Sequence, residues 1–115
     1  MIINTKNLIL KRFNKSLVNY NYFNWFNDHD VQQYIKFKPK DLEDLKKSVD
    51  KIIKTKNSYF FAIFYKSTHI GNIRIHNINL NTNEAWFGIL IGEKKFRNQG
   101  YAKEVILSLQ NWLIR

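Results

Sequence analysis

Residues 89–102, read in one-letter code as ILIGEKKFRNQGYA, constrain this chain more than any other stretch. An apolar run stops at Gly92, a short basic loop follows, and Gly100 stands where a helical pattern begins. A strand therefore has to turn at once into a helix whose first amides find no partners inside it. Such a place attracts an anion. Behind it Ala102, Val105, Ile106, Leu109 and Leu113 recur at helical spacing, so the segment Tyr101 to Arg115 buries one face against a sheet.

The sheet is written upstream. Asn7 to Phe13 alternates as a strand, and Ser16 is the expected cap of a helix over the next segment, where Leu17, Tyr20, Phe23 or Trp25, and Phe26 recur near helical spacing. The polar cluster Asn27 to Asp30 breaks that helix, and Val31 to Ile35 form a further turn or two. After Pro39, Asp41 caps a clearer helix with Leu42, Leu45, Val49, Ile52 and Ile53 on one face and lysines on the other. Tyr59 to Tyr65 is apolar throughout, as in a strand covered on both faces. Ile70 to Ile78 alternates strictly, with Ile73 and Ile75 on one side and Asn72, Arg74 and His76 on the other. Glu84 to Ile91 is the fourth expected strand, and Gly88 inside it marks an expected bulge. The order predicts one α+β domain over residues 1–115, three-layered, with a mixed, mostly antiparallel sheet and helices on both faces.

Composition narrows the function classes. A 44% hydrophobic and 16% aromatic content excludes a disordered chain. No apolar run approaches the ~20 residues of a membrane span, and neither a secretory signal nor a cysteine points to an oxidising compartment, so a cytoplasmic protein is expected. The net charge of +10 invites a nucleic-acid reading. Lysines spread from Lys6 to Lys103 carry most of it, alongside many Asn, Ile, Phe and Tyr, as an AT-rich genome would write. Arginine, preferred for bidentate contacts to phosphates and bases, stands only at Arg12, Arg74, Arg97 and Arg115, which argues against nucleic acid. A basic, non-catalytic module that binds a macromolecule is the alternative reading.

Arg97-Asn98-Gln99-Gly100-Tyr101-Ala102 resembles the Gln/Arg-x-x-Gly-x-Gly/Ala motif of the GCN5-related N-acetyltransferases, in the place that superfamily gives it, between the fourth strand and the next helix. Leu8 to Phe13 and Trp25 to Tyr34 look like its RimJ/RimL branch, whose substrates are protein N-termini or, in related members, the amino group of a nucleotide-linked sugar. The resemblance implies acetyl-coenzyme A as co-substrate, no metal, and direct attack by a primary amine. It implies the pyrophosphate on the loop Arg97, Asn98, Gln99, Gly100, Tyr101 and Ala102, and the pantetheine arm paired with the backbone of Ile89, Leu90 and Ile91. Glu84 is the implied general base, with His76 the second choice. Trp25, Asn27, Asp28 and Arg74 are implied around the acceptor. The family normally continues beyond the equivalent of Arg115 with a fifth strand, another helix and a final hairpin, a part that commonly carries the tyrosine acting as general acid. A fragment, or a chain that needs a partner, is therefore expected, with the fourth strand an open edge prone to homo-oligomerisation.

Overall fold

The computed structural model describes residues 1–114. In chain order its elements are β1 (Ile2–Asn4), β2 (Ile9–Arg12), a 3-10 turn (Lys15–Leu17), α1 (Tyr20–Trp25), α2 (His29–Tyr34), α3 (Leu42–Lys54), β3 (Tyr59–Tyr65), β4 (Thr68–Asn79), β5 (Glu84–Ile91), a second 3-10 turn (Lys94–Phe96) and α4 (Tyr101–Ile114). They fall into two compact units, one made of Met1–Arg12 with the chain from Asn57 onward, the other of Phe13–Lys56.

In the first unit the five strands pair in sequence order, every pair antiparallel. This agrees with the mostly antiparallel sheet expected: the turns after Tyr65 and Asn79 are too short for a crossover, which takes a dozen or more residues, so the pairs among the described residues are all antiparallel. The registers Leu10↔Ile63, Phe61↔Ile73 and Ile73↔Ile89 keep the alternating apolar residues in phase across the sheet. Leu8, Leu10, Phe61, Ile63, Ile70, Ile73 and Ile75 thus share one core with Val105 and Leu109 of α4. Each such buried aliphatic or aromatic side chain stabilises the fold by about 1.5–3 kcal/mol. Asn72, Arg74 and His76 are left on the opposite face, together with Trp86, Gly88 and Leu90 of β5, while Ala85, Phe87, Ile89 and Ile91 pack on the core.

β1 was not anticipated. Three residues are too few to show a period, and they pair only because a turn folds them back, with Thr5 N–H donating to Leu8 carbonyl at 2.9 Å and Leu8 N–H to Thr5 Oγ1 at 2.9 Å. Gly88 carries no bulge either: it pairs directly with Arg74, and the irregularity lies between His76 and Asn79, where Asn77 takes a φ of 52°. Asparagine supplies four of the five non-glycine residues with positive φ, Asn57, Asn77, Asn83 and Asn98, the fifth being Lys66. Its short polar side chain tolerates that left-handed backbone better than other residues do. The asparagine content thus has a structural use beyond composition.

The second unit is built on an aromatic core. Phe13, Tyr22, Trp25 and Phe26 are buried with Val18, Val31, Leu45 and Val49, and Tyr22 meets Trp25 edge-on at 5.0 Å and Phe26 at 5.5 Å. Asp41 Oδ1 caps α3 by accepting Asp44 N–H at 2.8 Å, as expected. Ser16 does not cap: Asn14 Oδ1 accepts the Ser16 amide and Asn19 Oδ1 accepts the Tyr22 amide, both at 2.9 Å. Asparagine accepts such bonds as well as serine does, and two of them stood in the same short segment. No helix among the described residues is long and apolar enough to cross a membrane.

Candidate functional site

The loop between β5 and α4 is tied down at both ends. Ile70 carbonyl accepts both Gly92 N–H at 2.8 Å and Glu93 N–H at 3.1 Å, which turns the chain off the end of β5. Gly71 lets that end come close, since a Cβ there would lie 2.3 Å from Leu90 carbonyl oxygen. Phe96 then packs on Tyr65 at 5.1 Å, while Gln99 Nε2 donates to Lys95 carbonyl at 2.6 Å. Arg97 is anchored within the chain. Its Nε donates to Ile91 carbonyl at 2.7 Å and its Nη2 to Gly92 carbonyl at 3.1 Å, so the guanidinium clasps the strand end to the loop.

Asn98 and Gly100 bracket Gln99 with φ of 61° and 79°. The first bond into α4 is Glu104 N–H to Gly100 carbonyl at 3.1 Å, so the amides of Tyr101, Ala102 and Lys103 precede the helical ladder. A Cβ on Gly100 would meet nothing within 4 Å, so the space above the loop is open. The residues present therefore fit a diphosphate: the amides of Tyr101, Ala102 and Lys103 stand ahead of the helical ladder, the space at Gly100 is open, and the helix N-terminus adds a positive field.

Glu104 fixes this helix start to the amino terminus. Its carboxylate accepts from Thr5 Oγ1, from Asn7 N–H at 2.7 Å and from Asn7 Nδ2 at 2.7 Å. Burial pushes its pKa up, but the Thr5 and Asn7 hydrogen bonds outweigh that and hold it below the usual glutamate value. The sequence reading had no signal for this link, which joins residues almost a hundred positions apart.

Ile89 and Ile91 turn their side chains to the core, whereas Leu90 lies on the opposite face. β5 pairs with β4 alone among the described residues, so its outer backbone groups form an open edge. His76, half-buried and paired with Trp86, and Arg74, paired with Gly88, stand on the sheet face away from α4, whereas Glu84, exposed at the start of β5, borders a cavity that Gln110, Leu113 and Ile114 of α4 also line. Trp86, 64% exposed on that face, was passed over in the sequence reading, although its alternation with Glu84 and Gly88 was visible there. Next to them His69 Nε2 lies 2.7 Å from Asn72 Oδ1, and burial holds the imidazole pKa below its ordinary value against the opposing hydrogen bonds. In the helical unit Trp25 is a core residue, Asp28 Oδ1 caps α2 through Asp30 N–H at 2.9 Å, and Asn27 is exposed.

A strand that delivers its chain straight into an amide-lined helix start, on an antiparallel sheet, is the framework of an acyl-coenzyme A-binding fold. The family profile described as the acetyltransferase (GNAT) domain matches residues 7–115, and the chain belongs to that family. No match to the sequence was found among curated proteins. Among solved structures, the fold superposes on a RimL ribosomal L7/L12 α-N-protein acetyltransferase at a TM-score of 0.84 and 21% identity, covering 100% of this chain and 65% of that one. It is also similar to an acetyltransferase from Salmonella typhimurium described as modifying the N-terminal serine of ribosomal protein L7/L12 (TM-score 0.79, 20% identity, covering 95% and 65%). A spermidine N-acetyltransferase from Vibrio cholerae, solved with coenzyme A and spermine, matches at 0.70 and 20%, covering 87% and 59%. The chain thus spans about two thirds of the length of the first of these structures.

Proposed function

We propose that the chain carries the coenzyme site of an acetyl-coenzyme A-dependent N-acetyltransferase acting on a primary amine, with a protein N-terminus as the favoured acceptor. The observation that carries this is the loop from Gly92 to Ala102, with two left-handed residues and three unladdered amides at the mouth of α4. Family membership and the likeness to RimL support it.

The amides of Gln99, Gly100, Tyr101 and Ala102 would hold the pyrophosphate. The helix dipole contributes only ~0.3–1 kcal/mol when exposed, so these amides supply most of the hold. The open edge of Ile89, Leu90 and Ile91 would take the pantetheine arm as an added strand. When bound, acetyl-coenzyme A supplies the acetyl group as a reactive thioester. An amine near pH 7 is mostly protonated and must lose its proton before it can attack. Glu84 would take that proton, with His76 as the alternative base. Positioning the reactants can supply ~7–11 kcal/mol, whereas one general base gives about 10²–10⁴-fold in rate. The cleft therefore matters more than the base. Self-association through the β5 edge belongs to the same proposal, and chromatography over a concentration series reads it.

Coenzyme A should raise the melting temperature, and Gly100→Glu, which places a carboxylate in the open space above the loop, should abolish the shift. Glu84→Gln should lower kcat while leaving coenzyme binding intact. Absence of any coenzyme-induced shift in the natural full-length protein would refute the assignment.

A further inference from the structure

Arg74 is partly buried in the middle of β4, and its Nε is shielded from solvent, yet the side chain makes no hydrogen bond or ion pair with any described residue. A shielded donor without an acceptor costs free energy, and a ligand that brings an acceptor to it removes that cost. The neighbours say where that partner would sit. Arg74 lies between Phe60 of β3 and Gly88 of β5, and a Cβ on Gly88 would meet nothing within 4 Å. The sheet face is therefore open at Gly88, a slot between the exposed Trp86 and Leu90 along β5, with Arg74 the paired residue of β4.

A planar guanidinium fork matches a carboxylate with two parallel bonds. We propose that Arg74 is a specificity-determining residue that binds a carboxylate of the acceptor, and that the acceptor is the amino end of an acidic peptide, its backbone laid over Trp86. This rests on the acetyltransferase reading above. A polyamine would bring a second ammonium toward the guanidinium, and the +10 net charge of the chain opposes it further.

The test uses three tetrapeptide amides that differ only at the second residue, aspartate, asparagine or lysine, with binding measured calorimetrically with and without coenzyme A. A free-acid dipeptide separates an α-carboxylate from a side-chain carboxylate as the bound group. The aspartate peptide should bind about tenfold or more tighter than the asparagine peptide, the range of a charge-assisted hydrogen bond, and the lysine peptide should bind weakest. In Arg74→Gln the aspartate-to-asparagine ratio should fall to about one, with the coenzyme-induced melting shift unchanged. In Gly88→Val, which fills the slot, all the peptides should weaken together. A preserved ratio in Arg74→Gln, a wild-type preference for the lysine peptide, or no peptide binding at all overturns the proposal. If coenzyme A fails to bind while the aspartate preference tracks Arg74, the acetyltransferase reading falls and the role of Arg74 stands.

Discussion

Replacing Arg97 separates two jobs that a motif arginine can do, neutralising a phosphate or holding the loop that binds it. Its Nε and Nη2 bonds to Ile91 and Gly92 carbonyls, at 2.7 and 3.1 Å, assign it the second. Charge-assisted hydrogen bonds contribute about 1.5–3 kcal/mol each when well made. The side chain is only partly buried, and the freed carbonyls regain water in the variant, so half of the lower sum, about 1.5 kcal/mol, is the reasonable loss. It falls on the order of the loop, and hence on coenzyme affinity, which should drop about tenfold in Arg97→Ala. Calorimetric titration with coenzyme A at low and high salt measures it. Arg97→Lys is the decisive variant: lysine keeps the charge but lacks the fork that reaches two carbonyls at once. The clasp predicts that lysine behaves like alanine and that the loss persists in high salt. If Arg97→Lys binds coenzyme like wild type, or the loss disappears at high salt as screened charges would make it, the reasoning is wrong.

Gly71→Ala should destabilise the protein by about 1–3 kcal/mol in denaturant unfolding, the range for forced overpacking, because its Cβ would meet Leu90 carbonyl oxygen at 2.3 Å; an unchanged midpoint would refute that close approach. The lowered pKa of Glu104 gives stability that is complete above the unfolded value near 4.5 and is lost as pH falls through the folded one. The difference in melting temperature between wild type and Glu104→Gln should therefore shrink steadily below pH 4.5. For His69 the folded pKa also lies below the unfolded 6.5, so the sign is the same: stability is present above pH 6.5 and is lost on acidification, and His69→Gln should flatten the decline in melting temperature between pH 7 and 5.

The strands and the long helices were legible because their apolar periods of 2 and 3.6 are imposed by burial on one face, and β3, β4, β5, α3 and α4 stand close to where those periods put them. What failed to show was decided by neighbours distant in sequence or by competition between similar residues. Asn19 won the cap from Ser16 through a choice of backbone turn that neither residue announces. Gly88 suggested a bulge, but the strand runs straight through it and the missing side chain leaves a slot instead. The motif loop was legible as an anion site from its glycine and its place before a helix. The inward turn of Arg97 was not, since its acceptors are carbonyls whose direction depends on how β5 ends. Nothing local could mark Arg74 as unpartnered, because that is a statement about every other residue in the fold.

The knot of Thr5, Asn7 and Glu104 has a consequence for how the molecule comes into being. Residues 97 and 99 positions apart are joined by it, nearly the whole sequence. A chain made from its amino end exposes the first hairpin long before its partner exists, so β1 and β2 must wait, unclamped, until α4 has left the ribosome. Closing so long a loop costs entropy that rises only with the logarithm of its length, but contacts this distant slow folding. α4 is thus the helix that fastens β1 and β2, and the helix start that would receive the coenzyme is finished in the same event.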